Sequence, residues 1–432
     1  MYYHPEESFK RSELDKLQTE RLRAVVENAK KSPFYGSLLK DFDVSELNTA
    51  KDITKLPFTT KDDLRSQYPY GLLTRPLDDF VRLHASSGTT GSPTAILYTQ
   101  NDIDLWAALM ARSMYAAGIR RSDVLQNTSG YGLFTGGLGI HYGSERLGCL
   151  TVPAGAGNTR RQIKLIRDFN VTVLHIIPSF ALYFAQKVAE EGFDPAEMPW
   201  KIALIGAEPH TEETRQRIEE LMHIKAYNSY GLTEMNGPGV AFECTEQSGM
   251  HVWEDAYIAE IIDPATGEHV PEGEIGELVM TTLTREGMPI IRYRTRDLTR
   301  FIPGQCACGR EHRRIDRIAG RVDDMFIVKG VNIYPMQIEQ VLMSMPEVGQ
   351  NYVIELIREG FMDQIRVKVE VKEDYFVEDM RVLQKLQKSI ASRLCNEVLV
   401  TPRVELVMHD SIPKTAGKAI RVVDLRDKEE EG

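Results

Sequence analysis

Four stretches decide the fold: VTVLHIIP (171–178), KIALIG (201–206), TEETRQRIEELM (211–222) and IKAYNSYG (224–231). Three are short apolar runs of strand length, and the other spaces its apolar residues as a helix does. A further helix is expected over 184–191. The resulting alternation of strand and helix, within a pattern that extends from about residue 80 to 302, implies crossover units around a mostly parallel sheet. Several turns that follow the expected strands are rich in Gly, Ser and Thr, and open sheets of this type bind ligands beyond those strand ends.

Upstream, residues 12–31 place Leu14, Leu17, Leu22, Val25, Val26 and Ala29 between charges, with Pro33 just beyond. This reads as an amphipathic helix serving as a lid or brace. Beyond Arg321 the texture changes to MFIVKG, a helix beginning near Pro335, NYVIELI, IRVKVEV, a helix over 383–394 and RVELVM. That order suits a small two-layer module. The expected fold class is therefore α/β: a large N-terminal domain (1–322) with mixed, mostly parallel sheets, and a small C-terminal α+β domain (323–432) joined to it by a hinge. The closing RDKEEEG reads as solvated fringe.

A chain of 432 residues is long enough for two or three domains, and 42% hydrophobic with 27% charged residues is the balance of a globular protein. The net charge of −11 argues against a general polyanion binder, so no nucleic-acid partner is expected. No apolar run is long enough to span a bilayer, and MYYHPEESFKRSELDK lacks the pattern of a signal peptide. The expected address is the cytoplasm, with no membrane partner. Five cysteines in a chain of this length form no disulfide framework.

The segment SSGTTGSPT (86–94) follows the apolar VRLHA. Its glycines let the backbone approach a ligand and its hydroxyls add donors, which suits oxygen-rich anions; a plain surface turn is the alternative. It is neither a P-loop nor a dinucleotide fingerprint, because GxxxxGK[ST] and GxGxxG are both absent. After it come YGLTE (230–234), YRTRD (293–297), GRVDD (320–324) and PKTAGK (413–418). In this order and spacing the set resembles the adenylate-forming superfamily of acyl-CoA synthetases. The phenylacetate-CoA ligase branch is the most similar, through ASSGTTG, a YG-LFTGG-G segment (131–139), GAEP (206–209) and a CxCGR element.

The resemblance implies an AMP-forming acid–thiol ligase that acts in phenylacetate catabolism. Such an enzyme joins a carboxylate to the α-phosphate of ATP, then passes the acyl group to coenzyme A. Both partners start negatively charged, so the chemistry calls for cations and alignment rather than a covalent nucleophile. By resemblance Glu234 is the Mg²⁺ residue and Asp297 the acceptor of the ribose hydroxyls, with ion pairing to Arg294, Arg296 or Arg300 as the alternative for Asp297. Ser86, Ser87, Gly88, Thr89, Thr90 and Gly91 would grip phosphate, with Gly231 and Thr233 also at the nucleotide. Gly206, Ala207 and Glu208, with Asn228, Ser229 and Tyr230, would form the adenine slot. Arg321 would sit near ribose or phosphate, or else pair with Asp323 or Asp324. Lys418 matches the adenylation lysine, with Lys414 as its weaker rival. Asp323 falls at the hinge, and Gly330 would line the tunnel for the CoA thiol. The acyl pocket would use Tyr131, Phe134, Gly136 and Gly137, with Ala207 and Pro238, and its aromatic walls favour aryl acids. Ser92 and Thr94 occupy loop positions where many superfamily members carry lysine.

Cys306 and Cys308, with Cys244 and His251, supply three sulfurs and one imidazole, a closed set appropriate to structural zinc. His312 competes for the fourth place, and unpaired buried cysteines are the alternative. His141, His175 and His210 show no comparable grouping. Two other readings keep the fold: an adenylating enzyme that serves a carrier-protein thiol or another nucleophile, and a non-catalytic nucleotide-binding protein. The expected partners are ATP, CoA and a small aryl acid. A homodimer is compatible with the sequence, which shows no interface.

Overall fold

The computed structural model describes residues 2–86, 93–359, 362–377, 379–412 and 420–426. Residues 87–92 of the hydroxyl-rich loop, together with Lys414 and Lys418, lie outside the described residues. The expected strands form. Val173–Ile176, Ile202–Gly206 and Lys225–Tyr230 pair in parallel, and Val124–Asn127 and Leu150–Val152 extend the same parallel array on the other side. Every residue of Val173–Ile176 is buried, and so are the last four of Ile202–Gly206. Burial on both faces is why these segments read as continuous apolar runs instead of alternating ones.

Past Tyr230 the sheet turns antiparallel through Ala241–Glu243, Met250–Val252, Arg314–Ile315 and Phe301–Ile302, making nine strands among the described residues. Tyr257–Ile262, Gly276–Thr282 and Tyr293–Thr299 pair antiparallel in another sheet. Phe80–Ala85 and Ala95–Thr99 pair antiparallel on either side of the hydroxyl-rich loop. The helix Gln100–Ala116 starts at a capping box, in which Thr99 and Asp102 each accept the other's backbone N–H at 3.2 Å. Helix Arg11–Ala29 buries Leu14, Leu22, Val25, Val26 and Ala29 on one face. Its Gln18 donates to the carbonyl of Tyr257 at 3.1 Å and its Arg23 to that of Leu47 at 2.7 Å, which makes it a brace.

By compactness the chain separates into two units. One comprises residues 1–176, 198–207 and 225–317, and the other residues 177–197, 208–224 and 318–432. The crossover helices Pro178–Glu190 and Glu212–Met222 thus group with the C-terminal part. In that second unit, Val348–Glu359 and Met362–Val371 pair antiparallel, flanked by the parallel edge strands Val422–Asp424 and Arg403–Val407. Its core includes Ile338, Leu342, Ile354, Val367, Ile390 and Leu394, all fully buried, drawn from the sheet and from helices Pro335–Met343 and Met380–Val398. Each such side chain contributes about 1.5–3 kcal/mol by leaving water. Buried Glu339 accepts from Thr214 Oγ1 at 2.9 Å and Tyr352 OH at 2.7 Å, while Arg217 donates to the Val348 carbonyl at 2.6 Å. The α/β class with a smaller C-terminal α+β module therefore holds. No helix among the described residues is long and apolar enough to cross a membrane.

Candidate active site

The sequence-predicted residues of the first unit fall largely on turns after parallel strands. Strand Ile202–Gly206 ends where Gly206 pairs with Ser229. A Cβ at Gly206 would stand 2.4 Å from the Ser229 carbonyl oxygen, so only glycine allows the two backbones this approach. Ala207 follows at φ +70°, in the left-handed region that side chains rarely adopt. A flat backbone ledge results, formed by 206–207 beside 228–230. The Glu243 carboxylate steadies it by accepting the Asn228 N–H at 2.7 Å.

Gly231 packs against the returning chain, where its Cβ would meet Gly237 Cα at 2.6 Å. Between them Thr233–Met235 forms a single 3₁₀ turn. Glu234 is 5% exposed, and its Oε1 accepts from Tyr293 OH at 3.1 Å. Tyr98 OH donates to the Thr233 carbonyl at 3.2 Å and Tyr257 OH to the Met235 carbonyl at 2.9 Å. Burial pushes the Tyr98 hydroxyl up to about 12, so it remains a donor. Sequence reasoning missed Tyr98 and Tyr257. They stand 135 and 22 residues along the chain from their partners in the turn, outside any local motif, and left no signal to find.

Asp297 is buried, and its Oδ2 accepts from Tyr230 OH at 2.6 Å. Of the flanking cations, Arg294 pairs with buried Glu277 and Arg300 with Asp316 at 2.9 Å, so these two are engaged elsewhere. The first unit thus links the YGLTE and YRTRD elements twice, through Tyr230 to Asp297 and through Tyr293 to Glu234.

In the second unit, Glu208 accepts the Ser179 N–H at 2.5 Å, and burial pushes its carboxyl up against that bond. Arg321 makes a two-pronged pair with Asp323 at 2.9 and 3.0 Å, the ion pair that the sequence left open. Gly330 lies in the turn of the hairpin formed by Phe326–Val328 and Val331–Ile333.

Tyr131 and Phe134 are 38% and 56% exposed, so these aromatics are surface groups and not core. Tyr131 OH accepts from Asn127 Nδ2 at 3.1 Å and lies 3.2 Å from His141 Nδ1. Asn127 Oδ1 lies 2.9 Å from His175 Nδ1. Burial lowers His175 to about 4, so the imidazole is neutral at physiological pH and Nδ1–H donates to the amide oxygen. Pro238 accepts through its carbonyl from Trp106 Nε1 at 2.8 Å.

The ligand atoms of Cys244, His251, Cys306 and Cys308 all lie within 4.8 Å of one another. Cys244 Sγ and Cys306 Sγ are 3.7 Å apart, and Cys308 Sγ lies 3.3 Å from His251 Nε2. A tetrahedral zinc with Zn–S of about 2.3 Å would separate two sulfurs by roughly 3.8 Å. His251 Nδ1 lies 3.1 Å from the His312 carbonyl oxygen, so it carries the proton, and Nε2 offers its lone pair. The hydrogen bond from Cys244, and then His251, hold the Cys308 thiol far below its usual range. His312 is engaged on both sides: its Nδ1 accepts the Glu254 N–H at 3.0 Å and its Nε2 lies 3.1 Å from the Glu6 carbonyl. Between the two histidines, the geometry selects His251.

The sequence model of the AMP-binding enzyme family matches residues 16–283, and that of the AMP-binding enzyme C-terminal domain matches residues 330–426. The chain belongs to the AMP-binding enzyme family. Among curated AMP-binding relatives, it is 45% identical to phenylacetate-coenzyme A ligase of Thermus thermophilus, over 99% of this chain and 100% of that one. It is 42% identical to the Escherichia coli protein of the same name, over 98% and 97%. It is similar in structure to 2-hydroxyisobutyryl-CoA ligase in complex with 2-HIB-AMP: TM-score 0.94, 30% identity, 100% of this chain and 94% of that one.

Proposed function

We propose that this AMP-binding enzyme ligates an aryl carboxylic acid, phenylacetate foremost, to coenzyme A through an acyl-adenylate, releasing AMP and pyrophosphate. The observation that carries this reading is the 42–45% identity to phenylacetate-CoA ligases along nearly the whole chain. In the first half-reaction a carboxylate oxygen attacks the α-phosphorus and the bond to pyrophosphate breaks. In the second the CoA sulfur attacks the acyl carbonyl, its proton leaves to solvent, and AMP departs with the bonding electrons.

The chain's own groups divide the work. The 206–207 and 228–230 ledge takes the adenine face, and acceptor-only Asp297 takes the ribose hydroxyls. Glu234 would hold Mg²⁺, a hard cation suited to a carboxylate oxygen, which offsets phosphate charge when bound. Tyr131, Phe134, Gly136, Ala207 and Pro238 bound the acyl ring. Lys418 supplies the mobile cation for adenylation. Cys244, His251, Cys306 and Cys308 bind a structural zinc that pins the 244–251 segment to the 306–308 loop. The enzyme works in the cytoplasm. A panel of aryl and alkyl acids with ATP, Mg²⁺ and CoA, scored by AMP release, tests the reading. Phenylacetate should be turned over, and a panel with no CoA-dependent AMP release would discard it.

The domain boundary lies at 322/323 in this reading, with Asp323 the hinge. Rotation there would break the charge-assisted hydrogen bonds from Thr214 to Glu339 and from Arg217 to Val348, worth about 1.5–3 kcal/mol net apiece. Asp323→Pro, which fixes φ, is expected to impair thioester formation more than pyrophosphate exchange. The reverse ranking would exclude the hinge.

A further inference from the structure

One buried cation holds the turn that carries Glu234. Arg285 lies between strands Gly276–Thr282 and Tyr293–Thr299 and is only 2% exposed. Its Nη1 donates to the Glu234 carbonyl at 2.7 Å, and its Nη2 donates to Asn236 Oδ1. Its guanidinium carbon stands 5.1 Å from the centroid of the Tyr98 ring. Arg285 forms no ion pair with a carboxylate among the described residues, and its Nε has no hydrogen-bond partner there. A buried guanidinium without a counter-ion is costly, and an apolar side chain of similar volume would pack at less expense. Packing alone therefore does not account for arginine here.

The backbone behind it is rigid. The Asp102 carboxylate accepts the N–H groups of Glu286 at 2.8 Å and Gly287 at 3.2 Å. The Glu286 carbonyl accepts from Asn28 Nδ2 at 2.7 Å and Thr74 Oγ1 at 2.5 Å. The guanidinium is thus a fixed reference point from which two charge-assisted bonds reach the 234–236 backbone and side chain. Asn236, at φ +61°, ends the turn with its amide oxygen on that guanidinium.

We propose that Arg285 is a positioning residue for the adenylation step: it fixes the Glu234 peptide, so that the carboxylate meets the metal–nucleotide in a single orientation. This rests on the assignment of Glu234 to the divalent cation. The test is Mn²⁺ binding, read by electron paramagnetic resonance with a non-hydrolysable ATP analogue present, below each variant's melting temperature, alongside pyrophosphate exchange. Arg285→Met should weaken Mn²⁺ retention and slow exchange by about 10–100-fold, the usual consequence of losing a group that orients a metal ligand. Arg285→Lys, which keeps the charge and one donor, should recover part of both. Asn236→Gly keeps the left-handed backbone accessible while deleting the acceptor, and carries the test should Arg285→Met fail to fold. Wild-type Mn²⁺ affinity in Arg285→Met or Asn236→Gly would overturn the proposal. Glu234→Gln is measured in parallel. If it loses Mn²⁺ while the Arg285 variants keep it, the positioning role alone falls; if it too binds Mn²⁺ normally, the assignment of Glu234 falls and this proposal with it.

Discussion

Lys418→Ala is expected to lower ATP–pyrophosphate exchange by about 10²–10³-fold, the usual scale for removing a charge stabiliser of a transition state. Transfer to CoA from supplied acyl-adenylate should persist. The asymmetry follows from charge. In the first half-reaction an anionic carboxylate approaches an anionic phosphate, and a flexible ammonium relieves their repulsion. In the second, the acyl carbon is already activated and no triphosphate remains. Equal loss of both half-reactions would reject the role. Lys418→Arg keeps the charge but not the compact ammonium, and should restore little.

The second large effect concerns the metal cluster. Purified protein should carry about one zinc per chain, and the Cys306→Ser, Cys308→Ser double variant close to none, as a tetrahedral site left with one sulfur and one imidazole cannot close. The melting temperature should fall by roughly 5 °C or more, because a few kcal/mol in a domain of this size shifts it by that much. Elemental analysis decides: zinc absent from the native protein, or retained by the double variant, removes the site. Exchange activity at a temperature where both proteins are folded should be little changed, as expected of a brace.

The legibility of the site differs residue by residue. Glu234 and Asp297 stand in motifs contiguous in sequence, and the structure links those two motifs through Tyr293 and Tyr230. Arg285, Tyr98 and Tyr257 left no mark, since their hydrogen bonds to the 233–236 turn span 22 to 135 residues of chain. The sequence favoured His251 as the fourth ligand and left His312 as its competitor. Strand pairing of Met250–Val252 with Arg314–Ile315 set His251 beside the sulfurs, while backbone groups claimed both nitrogens of His312.

Sequence by itself determined the parallel strands, the small α+β module and the order of the motifs, because apolar periodicity and turn chemistry are local properties of the chain. Only tertiary structure decided that helices Pro178–Glu190 and Glu212–Met222 would group with the C-terminal part, which imidazole would face the cysteines, and which cation would hold the Glu234 turn. The physical reason is common to all three: each depends on which buried polar group meets which partner once distant segments close, and a chain read in order carries no record of that pairing.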